Sequence, residues 1–171
     1  MQVTPRTLDE KVQLAILRKL LLAWDGQWFL KTAEAFGLDR AVEQNRKVRA
    51  SFGKIEMRLV LQALGLSRAR DLAEAASILS GYALAFFGDA LDASMDLSGN
   101  TLSVRVARCG AYENVVRAGL SRKDQSCVAC VDLWPAWLSV LLPGHEICCR
   151  APERMGAGDA SCTFLISVGT D

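Results

Sequence analysis

The sequence predicts an α+β fold, in which N-terminal helices precede an antiparallel four-stranded sheet packed on helices. Three observations predict it. Apolar residues in the first ninety positions recur at three- and four-residue steps, the helical period. Past residue 90, two short alternating runs flank Ser98-Gly99-Asn100, a hairpin signal. The last segment again reads as two strands around a Pro/Gly-rich loop. Strands that arrive as hairpin pairs make an antiparallel sheet. The chain divides into a helical region, residues 1–89, and an α+β region, residues 90–171, which together form one unit.

Asp9 and Glu10 suit a first helical turn, and Leu14, Leu17, Leu21, Trp24 and Trp28 then form a seam on one face. Gly37 stops that helix. A second starts near Asp39, places Val42, Val48, Phe52, Ile55 and Leu59 on one side, and ends at Gly65. A third, from about Arg70 to Phe87, is apolar on most sides and is expected to be buried. After the first hairpin, "GAYENVVRAG" reads as a short helix and "CVACVDLWPAWLSVLL" as another, with a kink expected at Pro135.

The 171 residues are about half apolar and carry a net charge of +1, a composition that supports a core. Near-neutral charge excludes a strong field for nucleic acid or an anionic membrane. No apolar run reaches the ~20 residues that span a bilayer, and the N-terminus is not a secretory signal. The expected location is the cytoplasm, where the six cysteines stay reduced.

The thiols hold most of the chemistry. Cys127 and Cys130 form a Cys-x-x-Cys pair after Ser126, a fair N-cap. In the first turn of a helix, free N–H groups and the dipole favour thiolate. Such a pair binds metal, cycles as a redox couple or packs. The redox reading lacks the βαβ context it requires. Zinc needs further ligands, for which Cys162, Cys148 or Cys149, Glu146 and Glu153 are candidates. Packing needs nothing more, since free cysteine is a small hydrophobe.

Cys109, at the junction of a strand and a short helix, is the candidate catalytic nucleophile. The single histidine, His145, is the one base a triad would have to use. Trp24, Trp28 and Trp134 are the candidate ligand contacts. Asp25, between the first two indoles, reads as a solvated acid or a desolvated one. The same seam of the first helix, with the apolar third helix, predicts a homodimer, because together they offer more apolar surface than one small sheet covers.

The ending "GAGDASCTFLI" resembles the Gly-Asp-x-x-Cys-x-Phe signature of the 4-vinyl reductase type of small-molecule-binding domain. The wider stretch, "RCGAYENVVRAG…CVACVDLWPAWL…GDASCTFLI", is similar to the L-2-amino-thiazoline-4-carboxylic acid hydrolase-like family, and the helical half is similar in style to bacterial proteins of that group. The resemblance covers about residues 80 to 168. It implies an α+β domain enclosing a small organic ligand, braced by zinc on cysteines and a glutamate. The matching positions are Cys127 or Cys130 and Cys162, with Glu146 or Glu153 as the acid. Asp159, which follows a Gly in a tight hairpin, reads as structural or ligand-orienting rather than as a metal ligand. The expected function is small-molecule binding. The alternatives are hydrolysis of a cyclic amide or thiazoline through Cys109 or a metal-bound water, and helix-mediated interaction.

Overall fold

The computed structural model describes residues 7–169. Asp9 starts helix α1 (Glu10–Phe36), its carboxylate accepting hydrogen bonds from the backbone N–H groups of Lys11 and Val12. Gly37, at φ +85°, breaks the chain direction, and α2 (Leu38–Leu64) follows at once. Asp25 of α1 and Arg49 of α2 form an ion pair. Each lies the same distance along the chain from Gly37, so the two helices run antiparallel as a hairpin. Asp71 caps α3 (Leu72–Phe87) by accepting from Glu74 N–H at 2.8 Å.

A short helical turn, Gly88–Ala90, leads into β1 (Leu91–Ser98), and the Gly99-Asn100 turn returns the chain as β2 (Thr101–Cys109). Helices α4 (Gly110–Arg117), α5 (Lys123–Ser126) and α6 (Cys130–Leu141) then cross over the sheet. β3 (Ile147–Glu153) and β4 (Cys162–Val168) complete it. The strand order is β1-β2-β4-β3, antiparallel throughout. The α+β fold expected from the sequence is therefore the observed one.

Period-two alternation decides which sheet face is covered. Leu102, Val104 and Val106 of β2 and Phe164, Ile166 and Val168 of β4 are buried against the helices. On β3, Cys149 packs on this core while its neighbour Cys148 is exposed, the opposition expected of adjacent strand residues. Among the described residues, no buried side-chain nitrogen or oxygen lacks a hydrogen-bond partner. No described helix is long and apolar enough to cross a membrane.

The buried face of α2 differs from the predicted one. Val42 is buried, but Val48, Phe52, Ile55 and Leu59 are exposed, and Gly53, Met57 and Leu61 face inward instead. Gly53 explains the choice. A Cβ there would stand 2.7 Å from Leu133 Cδ1 and 3.1 Å from Trp137 Cδ1, so its bare backbone lets α2 and α6 approach closely. One turn on, Glu56 accepts hydrogen bonds from Trp137 Nε1–H, at 2.8 Å, and from the Tyr82 hydroxyl, joining α2, α6 and α3. Helix α3 is less buried than expected, since Leu84 and Phe86 are exposed.

Gly53→Val should lower stability by about 1–3 kcal/mol, because the crossing has no room for added carbons. Glu56→Ala should lower it by about 2 kcal/mol or more by leaving two buried donors unpaired. Urea unfolding measures both, and wild-type midpoints for either variant would show that the crossing is loose.

Candidate functional site

Between the helices and the covered sheet face lies an apolar cavity of about 190 Å³. Leu22, Gly26 and Phe29 of α1 form one wall. Trp134 and Trp137 of α6 meet edge to face, ring centroids 4.9 Å apart, on another. Val106 and Phe164 form the sheet floor. Gly26 matters because a Cβ built on it meets nothing within 4 Å, so the wall is open at that point. The polar lining is sparse. Asn45, Arg49 and Asp25 form one end, where the Arg49 guanidinium donates to the Asp25 carboxylate.

Four of the six cysteines line this cavity, each from a different place in the chain. Cys109 ends β2, Cys127 follows α5, Cys130 opens α6 and Cys162 opens β4. Strand register sets Cys162 directly opposite Val106. Its sulfur accepts a 3.3 Å hydrogen bond from Met155 N–H. Gly156 lets this segment approach α5, since a Cβ there would lie 2.6 Å from the Lys123 carbonyl oxygen.

The thiolate expectation is overturned. Ser126 caps no helix; its hydroxyl donates to the Arg122 carbonyl, and α6 starts only at Cys130 without a side-chain cap. Cys127 follows a helical turn rather than opening a helix. Burial pushes the Cys127 and Cys130 thiols up to about 12, assisted by the nearby cysteines, with Arg154 and Arg49 respectively opposing the shift. Burial also raises Cys162, against the lowering effect of the Met155 N–H. Desolvation outweighs any helix-end field here, so these thiols are neutral at physiological pH.

Nor are the expected zinc ligands drawn together. Among the described residues, no three His, Cys, Asp or Glu side chains stand close enough to hold one metal ion. Glu153 instead accepts from the Thr163 hydroxyl at 2.6 Å. Cys127, Cys130 and Cys162 share the cavity wall but not a coordination sphere. Asp159 takes the backbone role expected for it, accepting from Arg154 N–H at 2.8 Å.

Of the three expected ligand tryptophans, Trp134 lines the cavity. Trp24 and Trp28 lie outside it, 68% and 63% exposed, against each other on the outer face of α1. Sequence reasoning missed Trp137 and Arg49. Trp137 follows Trp134 by three residues on an apolar helix, a spacing that signals a shared face. Arg49 offered no such signal, being one of several basic residues on α2. Cys109 is on the wall, while His145 is not. A larger groove of about 510 Å³, between α2 and α6, is open and charged. Its Arg46 and Asp132 already satisfy each other at 2.6 and 3.0 Å.

No family model and no curated protein matches the chain. Solved structures do. A trafficking protein particle complex subunit 3 from Naegleria fowleri, covalently bound to palmitic acid, superposes with a TM-score of 0.65 at 14% identity, covering 91% of this chain and 97% of that one. The phenol-responsive sensory domain of the transcription activator PoxR, with phenol, gives 0.54 at 14% identity, covering 88% and 74%. At such identities the shared property is the fold alone.

Raised thiol pKa values have a readable consequence. Folded Cys127 and Cys130 keep their protons to about 12, whereas unfolded thiols lose them near 9. Their neutral burial therefore supports the fold fully below pH ~9, and that support declines as pH rises toward 12. Iodoacetamide at pH 8, mapped by peptide mass spectrometry, should label exposed Cys148 well before Cys127 or Cys130. Equal rates at all three would contradict the burial described.

Proposed function

We propose that this protein binds a small organic molecule of single-ring size in the cavity under Trp134 and Trp137. The carrying observation is the cavity's volume and lining. An engineered apolar cavity of about 150 Å³ holds benzene, so about 190 Å³ suits one ring with a small substituent. A long fatty-acyl chain exceeds it. Phenol in one structural neighbour supports the aromatic class. The polar end supports a neutral hydroxyl substituent, which donates to Asp25 and accepts from Arg49. A carboxylate would meet the Asp25 charge. The resemblance of the C-terminal half to 4-vinyl reductase-type domains points the same way. Six free cysteines fit a reducing, cytoplasmic setting, and a homodimer is the assembly we propose.

A second reading draws on the four thiols at one wall. In it, Cys127, Cys130 and Cys162 close on zinc after a movement of α5 and the segment before β4. Elemental analysis of protein purified without chelator decides it, with one zinc per chain expected under this reading alone. The hydrolase alternative keeps Cys109 as nucleophile, but no imidazole on the cavity wall activates it.

Phenol and p-cresol should raise the melting temperature, and benzoate should do so less. At a hundred times the dissociation constant, the ligand adds about 2.7 kcal/mol of stability. Gly26→Leu should fill the open wall and abolish the shift, while the variant itself melts higher because Gly is a poor helix former. Binding of phenol by Gly26→Leu with unchanged affinity would place the ligand elsewhere.

A further inference from the structure

Helix α1 has no buried residue among its 27, although it forms a wall of the cavity. Its cavity-facing positions, Leu22, Gly26 and Phe29, and its seam, Leu14, Leu17, Leu21, Trp24 and Trp28, lie on different faces at 100° per residue. The seam is exposed along its whole length. So is a second stripe, Val48, Phe52, Ile55 and Leu59, on the α2 face opposite the one packed on α6. Because the two helices are antiparallel, both stripes lie on the side of the hairpin turned away from cavity and core.

We propose that a second copy of this chain packs on this outer face of α1 and α2, and that ligand binding and dimerisation strengthen each other through α1. The ligand half of the proposal rests on the cavity reading above; the surface half does not. Taking large side chains at about 150–250 Å² each, and the nine stripe residues as about half exposed, the stripes present on the order of 900 Å². The largest apolar patch on a monomer is about 300–600 Å². A stable dimer buries about 800 Å² per partner. The area therefore matches what a second copy covers, and a two-fold axis lets one patch serve as its own complement.

Coupling follows from how α1 is held. Among the described residues, its side-chain tethers across to other elements are the Arg18 guanidinium, donating to the Ala85 carbonyl at 2.9 Å, and Asp25 on Arg49. A ligand fills its inner side and a second copy covers its outer side. Each orders the same helix, so each lowers the ordering that the other must supply. Linkage makes the effect reciprocal.

Sedimentation equilibrium on the full chain, with phenol as probe, tests this. Wild type should be a dimer at micromolar concentration. Trp24→Glu with Phe52→Glu, both exposed and so harmless to the monomer fold, should weaken the dimer at least about thirtyfold. Saturating phenol should tighten the wild-type dimer about fivefold or more, and the double variant should bind phenol more weakly by about the square root of that factor, because two sites share one association step. Gly26→Leu should tighten the dimer without phenol, beyond Gly26→Ala, which improves helix propensity but leaves the wall open. A wild-type monomer at all concentrations, or a dimer untouched by the double variant, overturns the interface. Phenol that binds without shifting the dimer, or a Gly26→Leu dimer no tighter than that of Gly26→Ala, overturns the coupling. Phenol that fails to bind sinks the ligand reading alone, and the Gly26 pair then decides the coupling.

Discussion

The close crossing of α2 over α6 at Gly53 is the constraint on which the rest of this structure depends. A glycine backbone admits Leu133 and Trp137 where any side chain would hold them off. That contact orients Trp137, and the Glu56 carboxylate then fixes the indole by accepting its N–H. Trp137 in turn sets Trp134, its edge-to-face partner, which packs on Phe164 of β4 with ring centroids 5.7 Å apart. The chain of contacts runs from one small residue to the sheet. It leaves the cavity on the side of the tryptophans facing α1, because α1 does not enter the core.

Electrostatics in the cavity follow from the same packing. Four thiols and few polar groups face one another across an apolar space, so ionising any of them would place charge where little solvates it. Neutral thiols are polarisable and pack well against aromatic rings. They suit a wall for an organic ligand better than a resting metal site, which would have to move its ligands together. The Arg49–Asp25 pair is the exception at one end. The two satisfy each other on the cavity wall.

Helix α1 gives the fold its asymmetry between stability and function. The buried core is built from α2, α3, α6 and the sheet, and α1 contributes no buried residue to it. Elements with few buried contacts open most easily. An element of that kind over a cavity is placed where ligand entry and partner contact can act on it together.

Local signals carried much of the architecture. Turn chemistry at Ser98-Gly99-Asn100 and the stops at Gly37 and Gly65 are short-range, so the element order was legible from the sequence. So were the opposition of Cys148 and Cys149 and the turn role of Asp159, each a matter of neighbouring residues. What the sequence could not decide was which apolar face is core. On α1 and α2 the larger hydrophobic stripe lies outside, because the core contact selects small residues that permit close approach, and size complementarity exists only between paired helices. The same holds for the thiols. Spacing alone suggested a helix-end pair ready to ionise. Only the tertiary structure placed Cys109 and Cys162 beside Cys127 and Cys130 in an apolar cavity, where desolvation, a property of everything around a group rather than of its position in the chain, holds the helix-side thiols neutral.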